Sequence, residues 1–143
     1  MPQKIPADIE RALEPYPGRV ARRLKQMRRI ILKVAAGLDI GEVVETTKWG
    51  EPAYLPAKAR TGTTVRLGAK ADLPGGGYEH CRMYVNCQTS LIQTYKTLFP
   101  EFSYEGNRGV LFPLEVPLPE DEFAMMVEAA LTYHLRKRAG LTT

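Results

Sequence analysis

Long hydrophobic runs are missing from this chain. The longest aliphatic stretch is Ile30-Ile31-Leu32, and a bilayer span needs about 20 apolar residues. No apolar run follows Met1-Pro2-Gln3-Lys4, so no signal peptide is expected. Cysteine is scarce: Cys81 and Cys87 are the only two. On one extended strand they would stand about 20 Å apart, at ~3.3 Å per residue. A disulfide needs Cα atoms within about 7 Å. Two reduced thiols and a cytoplasmic protein are therefore expected.

Catalytic and cofactor signatures are missing too. Gly75-Gly76-Gly77 is followed by no Lys-Ser/Thr pair, helix start or GxGxxG spacing, which excludes a P-loop and a dinucleotide fingerprint. No cofactor is expected. The chain has no nucleophile elbow, no Cys-His motif and no paired carboxylates at telling positions, so a non-enzyme is expected. A metal site of His80, Cys87 and His134 would have no spacing signature, and no metal is assigned. Recognition-helix, zinc-finger and RNP-type patterns are also absent.

What remains is ordinary globular composition in 143 residues, 44% hydrophobic and 25% charged. That length favours a single domain, whose folding buries roughly 68–70% of the unfolded surface. The net charge is +4 but unevenly spread. No acid lies between Glu14 and Asp39, where Arg19, Arg22, Arg23, Lys25, Arg28, Arg29 and Lys33 are all basic. Such a run is a candidate footprint for an anionic partner.

Periodicity organises the chain. Residues 5–13 read as a short helix, broken by Pro15-Tyr16-Pro17-Gly18. A long helix follows over 18–37. Val20, Leu24, Met27, Ile31 and Val34 share its buried stripe, and Arg19, Arg22, Arg23, Lys25, Arg29 and Lys33 lie on the opposite arc. Strands are predicted over 42–49, from Ala53, over 63–68 and over 82–87. In the third, Thr64 and Arg66 share a face; in the fourth, Arg82, Tyr84 and Asn86 do. A helix is predicted over 90–99, with Ser90 and Gln93 as a capping box. A hairpin follows around Gly106-Asn107-Arg108-Gly109. One last helix runs from Pro119, where Glu120, Asp121 and Glu122 stand, to Arg136-Lys137-Arg138 before Gly140, matching the helix dipole. The expected architecture is α+β: an antiparallel sheet of about five to six strands with helices packed on one face.

The segment Thr46-Thr47-Lys48-Trp49-Gly50-Glu51-Pro52-Ala53-Tyr54 resembles the signature of the YdhG-like family of small bacterial domains of unknown function. Gly109-Val110-Leu111-Phe112-Pro113-Leu114 and Pro117-Leu118-Pro119 resemble the family's closing strand and prolines. The resemblance covers about residues 18–138. It implies a frataxin-like fold and, for some members, an iron or metal chaperone. Iron binding of the frataxin type uses an acidic ridge on the first long helix. Here that helix carries bases, so no ridge residues carry over.

Two candidate sites follow. Lys48, Trp49, Glu51 and Tyr54 could line a ligand pocket, with Trp49 as a stacking platform; the structural alternative places Trp49 in the core at a strand end. The basic arc of Arg19, Arg22, Arg23, Lys25, Arg29 and Lys33 could bind an anion; the alternative is a solvated helix face. The expected function is non-catalytic binding of a small anionic ligand or an acidic macromolecule, either an acidic protein or nucleic acid. The alternatives are metal handling and an enzyme with an unrecognised pocket.

Overall fold

The apolar stripe predicted over 18–37 folds as expected. In the computed structural model, which describes residues 4–57 and 61–138, helix α2 spans Gly18–Gly37. Its Val20, Leu24, Met27 and Ile31 are buried. The shorter α1, Ala7–Leu13, adds Ile9 and Leu13 to the same core. Strands β1 (Val43–Lys48), β2 (Glu51–Pro56), β3 (Val65–Ala69) and β4 (His80–Tyr84) come next. Helix α3 (Leu91–Leu98), strands β5 (Ser103–Glu105) and β6 (Gly109–Pro113), then α4 (Glu120–Leu131) and α5 (Tyr133–Arg138) complete the described chain.

Among the described residues the six strands form one open antiparallel sheet in the order β1-β2-β3-β4-β6-β5. Strand residues alternate between faces. Tyr54, Val65, Leu67, Cys81, Met83, Val110 and Phe112 point to one side and join the helices in the core. Among the described residues, all the helical packing is on that face.

Four local expectations change. The strand predicted over 82–87 starts earlier and ends at Tyr84, so Cys87 lies past it; both thiols are free. Burial pushes the Cys81 thiol up to about 12. Ser90 makes no cap; its N–H donates instead to Tyr133 Oη at 3.1 Å. Trp49 is not a core residue but is 89% exposed. The predicted last helix is broken at Thr132; Gly140 lies outside the described residues.

The break has a clear cause. Residues 61–63 dock against the helix and take over its backbone partners. Thr63 N–H donates to Ala130 O at 2.9 Å, and Thr61 O accepts from His134 and Leu135 N–H at 2.8 and 3.1 Å. Thr61 Oγ1 donates to Leu131 O at 3.1 Å. A Cβ on Gly62 would lie 2.2 Å from Leu131 C and O, so only glycine permits this approach.

A buried polar group ties α2 to the sheet edge. Arg28 is 3% exposed and its Nε donates to Glu45 Oε2 at 2.5 Å. Tyr54 Oη donates to the same carboxylate oxygen at 2.8 Å. Burial, then Glu45, pushes the Tyr54 phenol far above its usual range.

Candidate functional site

The second face of the sheet carries no helix among the described residues, yet it is not bare. Register places Thr46, Ala53, Arg66, Tyr84, Gly109 and Glu105 on one rung across all six strands. The neighbouring rung holds Gly68, Arg82, Leu111 and Ser103. Gly68 and Gly109 leave room among the long residues, so long polar side chains can lie flat. The Glu51 carboxylate occupies the space above Gly68, 1.9 Å from where a Cβ would stand. The Tyr84 ring lies 3.4 Å from the corresponding point on Gly109.

These side chains link into a polar layer. Arg66 Nε donates to Glu51 Oε1 at 2.7 Å, and its guanidinium sits 4.8 Å from the Tyr84 ring centroid, a cation–π distance. Arg82, 5% exposed, donates from Nε to Glu105 Oε1 at 2.8 Å and from Nη2 to Asp72 Oδ2 at 3.2 Å. Its Nη1 is buried with no partner among the described residues. Lys70 Nζ donates to Glu105 Oε2 at 2.9 Å. Burial alone would raise the Glu105 carboxyl, but the bonds from Lys70 and Arg82 hold it below its usual range. Glu51 goes the other way: its burial outweighs the attraction of Arg66 and raises it.

At the β1–β2 end of this layer is a cavity of about 220 Å³. Lys48, Thr63, Thr64, Arg66, Tyr84, Val85 and Asn86 line it. The lining contains two cations, three hydroxyls and an amide, and no carboxylate. Nε to Glu51 is the one hydrogen bond of the Arg66 side chain among the described residues, which leaves its terminal nitrogens for a ligand. Burial, then the field of Glu105, pushes the Tyr84 phenol up to about 12. At neutral pH it is therefore a neutral O–H donor.

After Lys48 the chain turns at Trp49-Gly50, a two-residue hairpin loop closed by the Lys48–Glu51 pair. Both turn residues have positive φ, 56° for Trp49 and 75° for Gly50. Glycine, asparagine and aspartate favour that conformation; a bulky aromatic does not.

The structure separates the residues that the sequence grouped. Lys48 and Glu51 share the helix-free face. Tyr54 points the opposite way and is fully buried beneath the helices. The basic arc is also dispersed. Arg19 Nη2 donates to Tyr78 O, and Arg23 donates to Pro113 O and Val116 O. Lys25 Nζ lies 3.8 Å from Glu10. Arg22 folds back over Gly18, with Nη1 3.2 Å from the Cβ position there. Arg29 and Lys33 line a larger groove of about 610 Å³ between α2 and α4. Glu120, Asp121 and Glu128 face them across it, so acids outnumber bases three to two and the groove offers no attractive field for an anion.

His80, Cys87 and His134 are not brought together as a site. Among the described residues the one group with metal-ligand spacing is Asp72, Glu79 and His80, whose ligand atoms lie within 4.8 Å of one another. His80 Nδ1 is 3.1 Å from Asp72 Oδ2. Burial would raise Asp72, but His80, the Glu79 N–H and Arg82 lower it to about 2.

Sequence reasoning missed Arg66, Tyr84 and Asn86 as neighbours of Lys48. Alternation had put each on a single strand face, but only the strand register joins those faces. No described helix is long and apolar enough to cross a membrane. Compared with models of known families, with curated proteins and with solved structures, the chain matches none.

Proposed function

We propose that the chain is a non-catalytic binding domain for a small anion, held in the cavity between Lys48, Arg66, Tyr84 and Asn86. One observation carries this reading: the lining combines two cationic side chains with neutral donors and no carboxylate. Charge-assisted hydrogen bonds from such donors are about twice as strong as neutral ones. The volume of about 220 Å³ lies below the range of roughly 300–1,000 Å³ typical of drug-sized ligands. It suits a phosphate or carboxylate group. A frataxin-like architecture remains the proposed fold relation, supported by an antiparallel sheet with helices on one face.

Titration with inorganic phosphate, followed by calorimetry and backbone amide shifts, tests this function. Shifts are expected at Lys48, Thr64 and Asn86. Lys48→Ala should weaken binding at least tenfold, and the triple variant R22A/R29A/K33A should leave it unchanged. Binding lost only in the triple variant would move the site to α2.

Metal handling has one observation in its favour, the cluster of Asp72, Glu79 and His80. The Arg82 guanidinium on Asp72 Oδ2 opposes a cation there. Anaerobic titration with ferrous iron decides it: no binding below millimolar ends this alternative.

A further inference from the structure

We infer that the groove between α2 and α4 is a docking face for a second copy of this chain, related by a two-fold axis that runs along the groove.

Three observations point to it. First, the groove has an apolar floor. Ile30, Val34 and Leu38 lie half-buried along it, and Met125 on α4 is 53% exposed. Second, its walls carry opposite charge. Arg29 and Lys33 stand exposed on α2, and Asp121 and Glu128 stand exposed on α4. Third, the groove holds those charges apart. None of these four side chains makes an ion pair among the described residues. Glu120, by contrast, is engaged by the Gln26 amide at 2.7 Å.

The charge pattern selects the occupant. From the Gln26–Glu120 contact the groove continues to Leu38 on α2 and to Glu128 on α4, so the two helices run in the same direction. At about 1.5 Å per residue, Arg29 lies about 5 Å and Lys33 about 10 Å beyond that contact. On the other wall Asp121 lies about 2 Å and Glu128 about 12 Å beyond it. Bases and acids therefore stand at similar heights on opposite walls. A two-fold axis along the groove keeps each height and exchanges the walls. Lys33 then faces the partner's Glu128 and Arg29 faces the partner's Asp121. Each contact is made twice, as an isologous interface requires. Met125, about 7 Å along, comes over the partner's Ile30, about 6 Å along, and a flexible thioether fills such a gap well. An axis across the groove would set base on base and acid on acid, which like-charge repulsion disfavours. The footprint, about 18 Å of α2 by two helix diameters of roughly 10–12 Å, suits a reversible dimer rather than a permanent one. The cavity beside Lys48 and Arg66 lies on the other face of the sheet and stays open.

Sedimentation equilibrium of the full chain, with the charge variants K33E and E128K, tests the pairing. The wild type should pass from the 16.0 kDa chain to a species of twice that mass between about 1 μM and 1 mM. Each single variant sets like charges together twice and should weaken association at least about tenfold. The double variant K33E/E128K should regain wild-type association to within about threefold, because the paired changes are coupled. An equimolar mixture of the two single variants should dimerise as well, since position 33 of each copy then meets its opposite sign at position 128 of the other. Met125→Glu should also weaken association, with circular dichroism unchanged. A wild type that stays monomeric to about 1 mM overturns the inference. So does a dimer that both single variants leave intact, or a loss that neither the double variant nor the mixture repairs. Phosphate titration should give the same affinity for K33E as for the wild type, so this inference and the anion-binding reading stand or fall separately.

Discussion

Replacing Trp49 by asparagine should make the protein more stable. A non-glycine residue in the left-handed region costs roughly 1–2 kcal/mol, and asparagine is among the residues that tolerate it best. Against that gain stands the small apolar area that the indole keeps from water. Trp49 is 89% exposed, so only about a tenth of its ~250 Å² is covered. At ~25 cal/mol per Å² that burial contributes about 0.6 kcal/mol. The strain wins, and W49N should gain about 0.5–1 kcal/mol. For a domain of this size that corresponds to a rise in melting temperature of roughly 1–4 °C. Urea unfolding followed by circular dichroism measures it, since the variant has no tryptophan to follow. A loss of about 1 kcal/mol or more would refute the reasoning: Trp49 would then be holding the fold.

Further outcomes follow from the polar layers on the two sheet faces. Tyr54→Phe removes a bond of 2.8 Å to the Glu45 carboxylate and should cost about 1.5–3 kcal/mol, measured by urea unfolding. Glu51→Gln should stabilise the protein at pH 7, because the raised carboxyl means the fold favours its neutral form; the gain should vanish near pH 4, where both states are protonated, and a loss at pH 7 would mean the Arg66 pair prevails. Asp72 has the opposite sign. Lowered from 3.8 to about 2, it contributes stability that is present above pH ~3.8 and lost as pH falls towards ~2. Asp72→Asn should therefore be less stable at pH 7, with the difference closing in acid unfolding curves below about pH 3.

The sequence made the elements legible where period and burial agree. The stripe of α2 was clear because a two-layer fold buries one arc of that helix. The strands were legible as parity: Arg66 on one face of β3, Arg82 and Tyr84 on one face of β4. Their convergence with Lys48 was not, because it depends on register, and register depends on turns and on which strands are neighbours. Trp49 was misplaced for a related reason. Hydrophobicity argues for burial, but the turn begins at that residue and not after it, so the chain reverses with the indole outside. The break at Thr132 left no local signal, since its cause lies about 70 residues earlier in the chain.

That break has a consequence for dynamics. Thr63 lines the cavity beside Arg66, and its N–H is held by Ala130 O at 2.9 Å. One residue thus belongs both to the cavity wall and to a backbone clasp on the C-terminal helices. Local opening of the clasp would release Thr63, His134 and Leu135 together. These three amides should therefore exchange through a single opening event. A ligand that braces the wall should deepen protection at His134 and Leu135, on helix α5, in step with Thr63.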